Sequence, residues 1–349
     1  MAAKHDKLKT TAQPTAKSGF SLKGRTRSMV LRDAMRARAV MKDNLPALRV
    51  AVDYTVTVPD PGNPDMAAFT AGNTVDGSTL LTMLAVVSRS VCRIDRVIGD
   101  DRLPVGTGIL IAPDKIMTCR HVLRDCNCSL ADFGENGRRW QMPNTGSIEA
   151  VFGAQPLQAS VIRPIDSVIY GDNDSGRRVK DTVLEVAIAK LGPLQDGELQ
   201  PGDPLALFKN DSQIASRAAI AVIGFPGPDA ETAAQLDLQF KRDDDTQPVT
   251  EAIRRIFGTN PDLEKRNMLI GVGTLEETGS SREATRYCKH FAPTMPGMSG
   301  GAVIDLATGS LIGLHAAGSH FRDNRFHLFG PMLRFLSIND PCRKDIEAL

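Results

Sequence analysis

The chain has 349 residues, with 42 Lys and Arg against 41 Asp and Glu, 42% hydrophobic residues and only 5% aromatic ones. A chain of this length buries about three quarters of its unfolded surface, so folding requires neither a disulfide framework nor a structural metal. No run reaches the roughly 18 apolar residues of a membrane span, and the start, MAAKHDKLKTTAQPTAKSGF, lacks the apolar core of a secretory signal.

Charge is unevenly placed. Residues 1–50 hold 12 Lys and Arg against 3 Asp, a balance of +9, and the remainder holds 30 against 38, a balance of −8. Residues 1–27 are basic and aperiodic and are expected to be a flexible arm; nucleic acid is not the expected partner. From Ser28, Met29, Val30, Ala34, Ala37, Val40 and Met41 recur at helical spacing, and a helix is expected here, resuming after Pro46. Residues 59–77 are rich in Pro, Gly, Asn and Asp and read as a linker, so 28–77 forms a helical extension with that linker. A second helix is expected from Ser78 or Thr79 to about Ser90. After Cys92 the pattern turns to short β-branched runs at 108–112, 115–118, 148–152, 157–162, 183–191, 218–224, 268–274 and 310–315. Such runs predict an all-β sandwich or barrel. Residues 229–267 read as an insertion at one rim, and a closing helix is expected near 332–336 or 343–349.

Three segments carry chemistry. GTGILIAPDKIMTCRHVL, residues 106–123, leads through two strands to His121. VLEVAIAKL, residues 183–191, is an apolar strand interrupted by Glu185. TMPGMSGGAVID, residues 294–305, sets Ser299 on a glycine-rich turn. Acyl transfer at neutral pH needs a hydroxyl, a base to take its proton, a carboxylate to orient that base, and backbone N–H groups for the oxyanion.

On these residues the chain resembles the trypsin-like (chymotrypsin-fold) serine proteases, in their bacterial glutamyl-endopeptidase-like branch. The matching features are the GTG strand, Thr118 three residues before His121, the turn Gly297-Met-Ser-Gly-Gly301, the Gly-x-His ending of the next strand, GFP at 224–226, and Lys265–Arg266 before a strand. The resemblance covers about 80–340. It implies two antiparallel Greek-key six-stranded β-barrels, with residues 78–349 as the protease domain and the extension ahead of it. It also implies His121 as general base, Ser299 as nucleophile, and the N–H groups of Gly297 and Ser299 as oxyanion hole. The family acid is usually Asp; here Glu185 stands at that position, with Asp181 and then Asp166 as alternatives.

The Gly-x-Ser-x-Gly turn also satisfies the α/β-hydrolase elbow, but that fold places acid and histidine after the serine. Only 50 residues follow Ser299, and no βαβ alternation precedes it. A pocket for Lys or Arg would carry an acid six residues before the serine, where Pro293 stands. Thr294 and His315 fall where glutamyl endopeptidases bind the P1 carboxylate; a hydroxyl and an imidazole can donate hydrogen bonds to a carboxylate or an amide, which implies Glu or Gln at P1, and if His315 does so as an imidazolium the preference for Glu should fall as pH rises. None of the 11 Glu residues precedes Glu135, so the arm lacks the proposed P1 residue.

Among the other histidines, His290 falls in an expected strand, His320 and His327 in or near a late loop, and His5 in the arm. Cys119, His121, Cys126 and Cys128 crowd together, but their spacing matches no common zinc pattern. No metal or cofactor is therefore expected, and six cysteines without framework spacing indicate free thiols in a reducing, cytoplasmic setting. Met298 replaces the aspartate that pairs with a new N-terminus in digestive relatives, so that switch is absent. Resemblance to multidomain bacterial defence proteases implies a protein partner that activates through residues 1–77. The rival expectation is a pseudoprotease that binds peptides without cutting them.

Overall fold

The computed structural model describes residues 47–57, 77–132, 138–171, 185–194, 201–208, 214, 217–227, 266–276, 288–317, 324–330 and 332. The expected arm 1–27, the helix from Ser28 to Met41, Asp181, the segment 343–349 and nearly all of the insertion 229–267 lie outside these residues. In chain order the elements are β1 (Leu48–Val50), β2 (Val56–Thr57), α1 (Gly77–Ser88), β3 (Val91–Ile98), β4 (Asp101–Ala112) and β5 (Lys115–Thr118). There follow α2 (Arg120–Asp125), β6 (Ser129–Asp132), β7 (Arg138–Gln141), β8 (Ser147–Phe152), β9 (Val161–Gly171) and β10 (Ala187–Leu191). The last are β11 (Ala219–Gly224), β12 (Leu269–Thr274), β13 (Cys288–His290), β14 (Ala302–Asp305), β15 (Leu311–Ala317) and β16 (Asn324–Leu328). No helix among the described residues is long and apolar enough to cross a membrane.

The fold is the expected pair of antiparallel β-barrels. The first closes in the order β10-β5-β4-β3-β8-β9. Its interior is filled by alternate residues such as Cys92 and Ile94 of β3 and Ile116 of β5, whose side chains crowd round Gly108. The second runs β13-β16-β15-β14-β11-β12. It closes through an antiparallel bridge between Leu275 and His290, backed by Phe291 N–H to Thr274 O at 2.9 Å. The strand β12 thus splits its pairing: its start takes β1, with Leu48 opposite Ile270, while its end turns to β13.

That arrangement corrects two expectations. A strand, β1, stands where the helix was to resume after Pro46, and with β2 it extends the second sheet. Leu48, Val50 and Val56 bury their apolar side chains against that sheet and α1, which decides for strand over helix. The run expected at 157–162 begins as a turn, Ala159 N–H bonding Gln155 O at 3.2 Å, and pairs only from Val161.

The barrels meet along a buried seam. In β3 the sequence VCRIDRVI alternates like a half-exposed strand, yet Arg93 and Asp95 are 4% and 0% exposed. Arg93 lies opposite Thr107, on the side that reaches the second barrel. The two charges satisfy each other with paired bonds, Nε to Oδ1 at 2.7 Å and Nη2 to Oδ2 at 2.6 Å. Removing one partner of such a pair typically costs about 3–5 kcal/mol, because the survivor stays buried and uncompensated.

Candidate active site

Thr107, the centre of the GTG motif, is fully buried and uses every polar group it has. Its N–H donates to Ser299 O at 2.9 Å. Its hydroxyl donates to Gly297 O at 2.9 Å and accepts Phe225 N–H at 3.0 Å. Its carbonyl accepts the Thr118 hydroxyl at 2.6 Å. One residue of the first barrel therefore holds the serine turn, the GFP segment and the strand leading to His121. The flanking glycines give clearance: a Cβ on Gly106 would stand 2.5 Å from Val122 Cγ1, beside His121 on α2.

The serine segment folds as two consecutive turns. Met298 N–H bonds Met295 O at 3.1 Å with Pro296 second and Gly297 third, and Gly297 has φ +91°. Gly301 N–H then bonds Met298 O at 2.9 Å with Ser299 second and Gly300 third at φ +88°. Both are type II turns, which demand φ > 0 at the third residue and so favour glycine there. Among the described residues nothing accepts the N–H of Gly297 or of Ser299. Two adjacent donors without an acceptor are what an oxyanion requires.

His121 sits in the first turn of α2, partly exposed, with 25% of its side-chain surface open. Its Nδ1 lies 3.1 Å from Glu185 Oε2, and its backbone N–H donates to the same oxygen at 3.2 Å. Arg120 Nη2 reaches Glu185 Oε1 at 3.4 Å. Burial alone would raise the Glu185 carboxyl, but the His121 hydrogen bond and the Arg120 charge outweigh it and hold it at about 2. Of the candidate acids among the described residues, Glu185 is thus the one joined to His121. Asp166 is exposed on β9 beside Gly192, at the opposite end of β10.

Glu185 was expected within a strand, and here the structure differs. The β10 ladder starts at Ala187, paired with Thr118, so Glu185 precedes it. Freed from the pleat, its longer side chain folds back to the N-terminus of α2. Its own N–H donates to Nε2 of His327 at 3.0 Å. His327 was assigned to a late loop; it is a fully buried residue of β16, opposite Leu314 of β15. The charged and polar residues around it, DNRFHLF, masked a strand whose inner positions pack against the opposite barrel.

His315 is 2% exposed on β15. Its carbonyl accepts both Gly300 N–H at 2.7 Å and the Cys119 thiol at 3.2 Å, joining the serine turn and the residue capping α2. Its Nδ1 lies 3.2 Å from Nε2 of His290, which is also buried. Burial, with the charge of His121 adding to it, pushes the His315 imidazole down to about 3. With no ligand present the ring is therefore neutral. Thr294 is half-buried on the segment between His290 and the serine turn. Among the described residues, no hydrogen bond links it to His315. No cluster of potential metal ligands occurs among the described residues. Cys119, Cys126 and Cys128 are free, and burial raises each thiol, Cys128 to about 11.

The pattern of the trypsin-like peptidase domain matches residues 106–314, more than half of the chain. No curated protein sequence matches. Among solved structures, the Rv3671c protease of M. tuberculosis in its inactive form is similar, at 16% identity over 73% of this chain and 92% of that one, with a TM-score of 0.41. Deg5 is similar at 13% identity over 74% of this chain and 94% of that one, with a TM-score of 0.43.

Proposed function

The chain belongs to the trypsin-like peptidase domain family, and from that premise we propose that it is a serine endopeptidase acting through an acyl-enzyme. One observation carries the reading: the Nδ1 of His121 is held by a carboxylate, while the Ser299 turn is bonded to Thr107 of β4, whose carbonyl also holds Thr118 of the strand before His121. With Nδ1 engaged, Nε2 is the ring atom left to take the Ser299 proton. Ser299 Oγ attacks the scissile carbonyl, and Glu185 stabilises the imidazolium. The N–H groups of Gly297 and Ser299 receive the oxyanion. His121 returns the proton to the leaving amine, and water releases the acyl group by the same route.

The finer reading is cleavage after Glu or Gln, as in the glutamyl-endopeptidase branch. It is supported by Thr294 and His315 at the family's pocket positions and by the Glu-free stretch before Glu135. A neutral His315 offers one hydrogen-bond donor and no charge, so Gln should bind nearly as well as Glu. The five cysteines among the described residues are free thiols, which supports residence in the reducing cytoplasm. An activating partner on residues 1–77 is supported by β1, through which that segment enters the second sheet.

A fluorophosphonate probe tests the nucleophile. It is expected to label the wild type and not Ser299→Ala, while a P1-scanned peptide library reports Glu and Gln. Labelling that survives Ser299→Ala removes the assignment. A wild type that binds peptides without labelling or cutting is the pseudoprotease.

A further inference from the structure

We propose that His327 is a positioning residue for the reaction: a buried acceptor in the second barrel that fixes the main chain of the acid in the first. This rests on the reading of Glu185, His121 and Ser299 as the reacting set. The geometry is one hydrogen bond, Glu185 N–H to His327 Nε2 at 3.0 Å, reaching from two residues before β10 to the next-to-last residue of β16. His327 is fully buried.

The bond answers a specific problem. Glu185 precedes the β10 ladder, so no neighbouring strand takes its N–H. A donor buried without an acceptor is costly, and a residue outside a ladder is free to shift along the chain axis. Glutamate has one more rotatable bond than aspartate, so a small displacement of its backbone becomes a larger one at the carboxylate. That carboxylate must meet the ring Nδ1 and the backbone N–H of His121 with one oxygen. Pinning the amide from the far barrel removes the displacement at its source. Orientation errors of this kind cost rate directly, because the base must point at the nucleophile.

The chemistry of the ring defines its role. An imidazole nitrogen that accepts a hydrogen bond carries no proton, so His327 works as the neutral tautomer with its proton on Nδ1. A glutamine carbonyl can replace such an acceptor, whereas leucine cannot. The same β15–β16 ladder carries His315, one register step from His327. The strands of the proposed P1 site therefore also hold the acid.

The test uses the full chain and a chromogenic peptide. His327→Leu should lower kcat roughly 10–100-fold with KM changed less than about 2-fold. His327→Gln should recover most of that loss. In a Glu185→Gln background, His327→Leu should cost less than about 3-fold, since the group it positions no longer works. Equal losses in both backgrounds, or a Gln variant as slow as the Leu one, would show a residue that merely fills space and would overturn the proposal. His327→Met carries the same comparison if the Leu variant does not fold. A second measurement is independent of turnover: the downfield proton resonance of the His121 Nδ1–H in Ser299→Ala protein. It should vanish in Glu185→Gln, weaken or move in His327→Leu, and return in His327→Gln. A resonance identical with and without the His327 acceptor overturns the positioning role. Wild-type protein that neither cuts nor labels sinks the peptidase reading instead.

Discussion

A single oxygen of Glu185, Oε2, meets both groups that His121 turns toward it, the ring Nδ1 at 3.1 Å and the backbone N–H at 3.2 Å. The ring is therefore located relative to its own main chain through the carboxylate. Glu185→Gln should reduce kcat roughly 10²–10⁴-fold, because the amide can present an N–H to the imidazole and favour the wrong tautomer. Glu185→Asp should cost less than Gln but stay below wild type, since the shorter side chain cannot reach His121 and Arg120 together. Stopped-time peptide hydrolysis at saturating substrate separates the three.

The same carboxylate makes stability depend on acid. Its folded value of about 2 lies below the ordinary 4.5, so its stabilising contribution is complete above about 4.5. The contribution is lost as pH falls from there through about 2. Its size is on the order of 2 kcal/mol. Urea unfolding of wild type and Glu185→Gln should show curves that converge across that window. Parallel curves would mean that the carboxylate adds nothing to the fold.

Gly300 should tolerate no side chain. At φ +88° an alanine is strained, and its Cβ would collide with Thr107 O and stand 2.5 Å from Thr118 Oγ1. Thr107 O is main chain in a closed barrel, so relief must come from the serine turn. Gly300→Ala is expected to lose at least about 3 kcal/mol and nearly all activity. Gly99→Ala, at φ +60° with nothing within 4 Å, is the control and should cost about 1 kcal/mol. Thermal melts and probe labelling of both variants check this.

A neutral His315 predicts a flat ratio of Glu to Gln cleavage. Because its imidazole is pushed down to about 3, it holds no extra proton that a rising pH could remove. The ratio of the two kcat/KM values should stay constant from about pH 6 to 9, even where overall rate changes. A ratio that falls across that range would show His315 taking up a proton from solvent when the carboxylate binds.

Much of the site was legible because its requirements are local. Glycines at 106, 108, 297 and 300 mark places where a Cβ meets a neighbour or φ is positive, and those constraints leave a spacing that sequence retains. His121 and Ser299 follow from that spacing. Glu185 was legible only by position, because nothing in VLEVAIAKL says that the strand begins two residues later. His327 was not legible at all: its role comes from a contact 142 residues away in the chain. The burial of Arg93 and Asp95 is equally hidden, since alternation reports one buried face and cannot report that a second barrel covers the other.

Thr107 gives the serine turn its anchor, and that anchor belongs to the other barrel. The turn's shape thus draws on both barrels: its glycines and local bonds come from the second, and the Thr107 anchor comes from the first. During synthesis His121 emerges long before Ser299, and β16, with His327, follows both. A half-synthesised chain therefore holds the histidine without the turn that Thr107 anchors. The anchored serine turn and the carboxylate-held histidine thus come together only in a chain whose two barrels are both complete and docked.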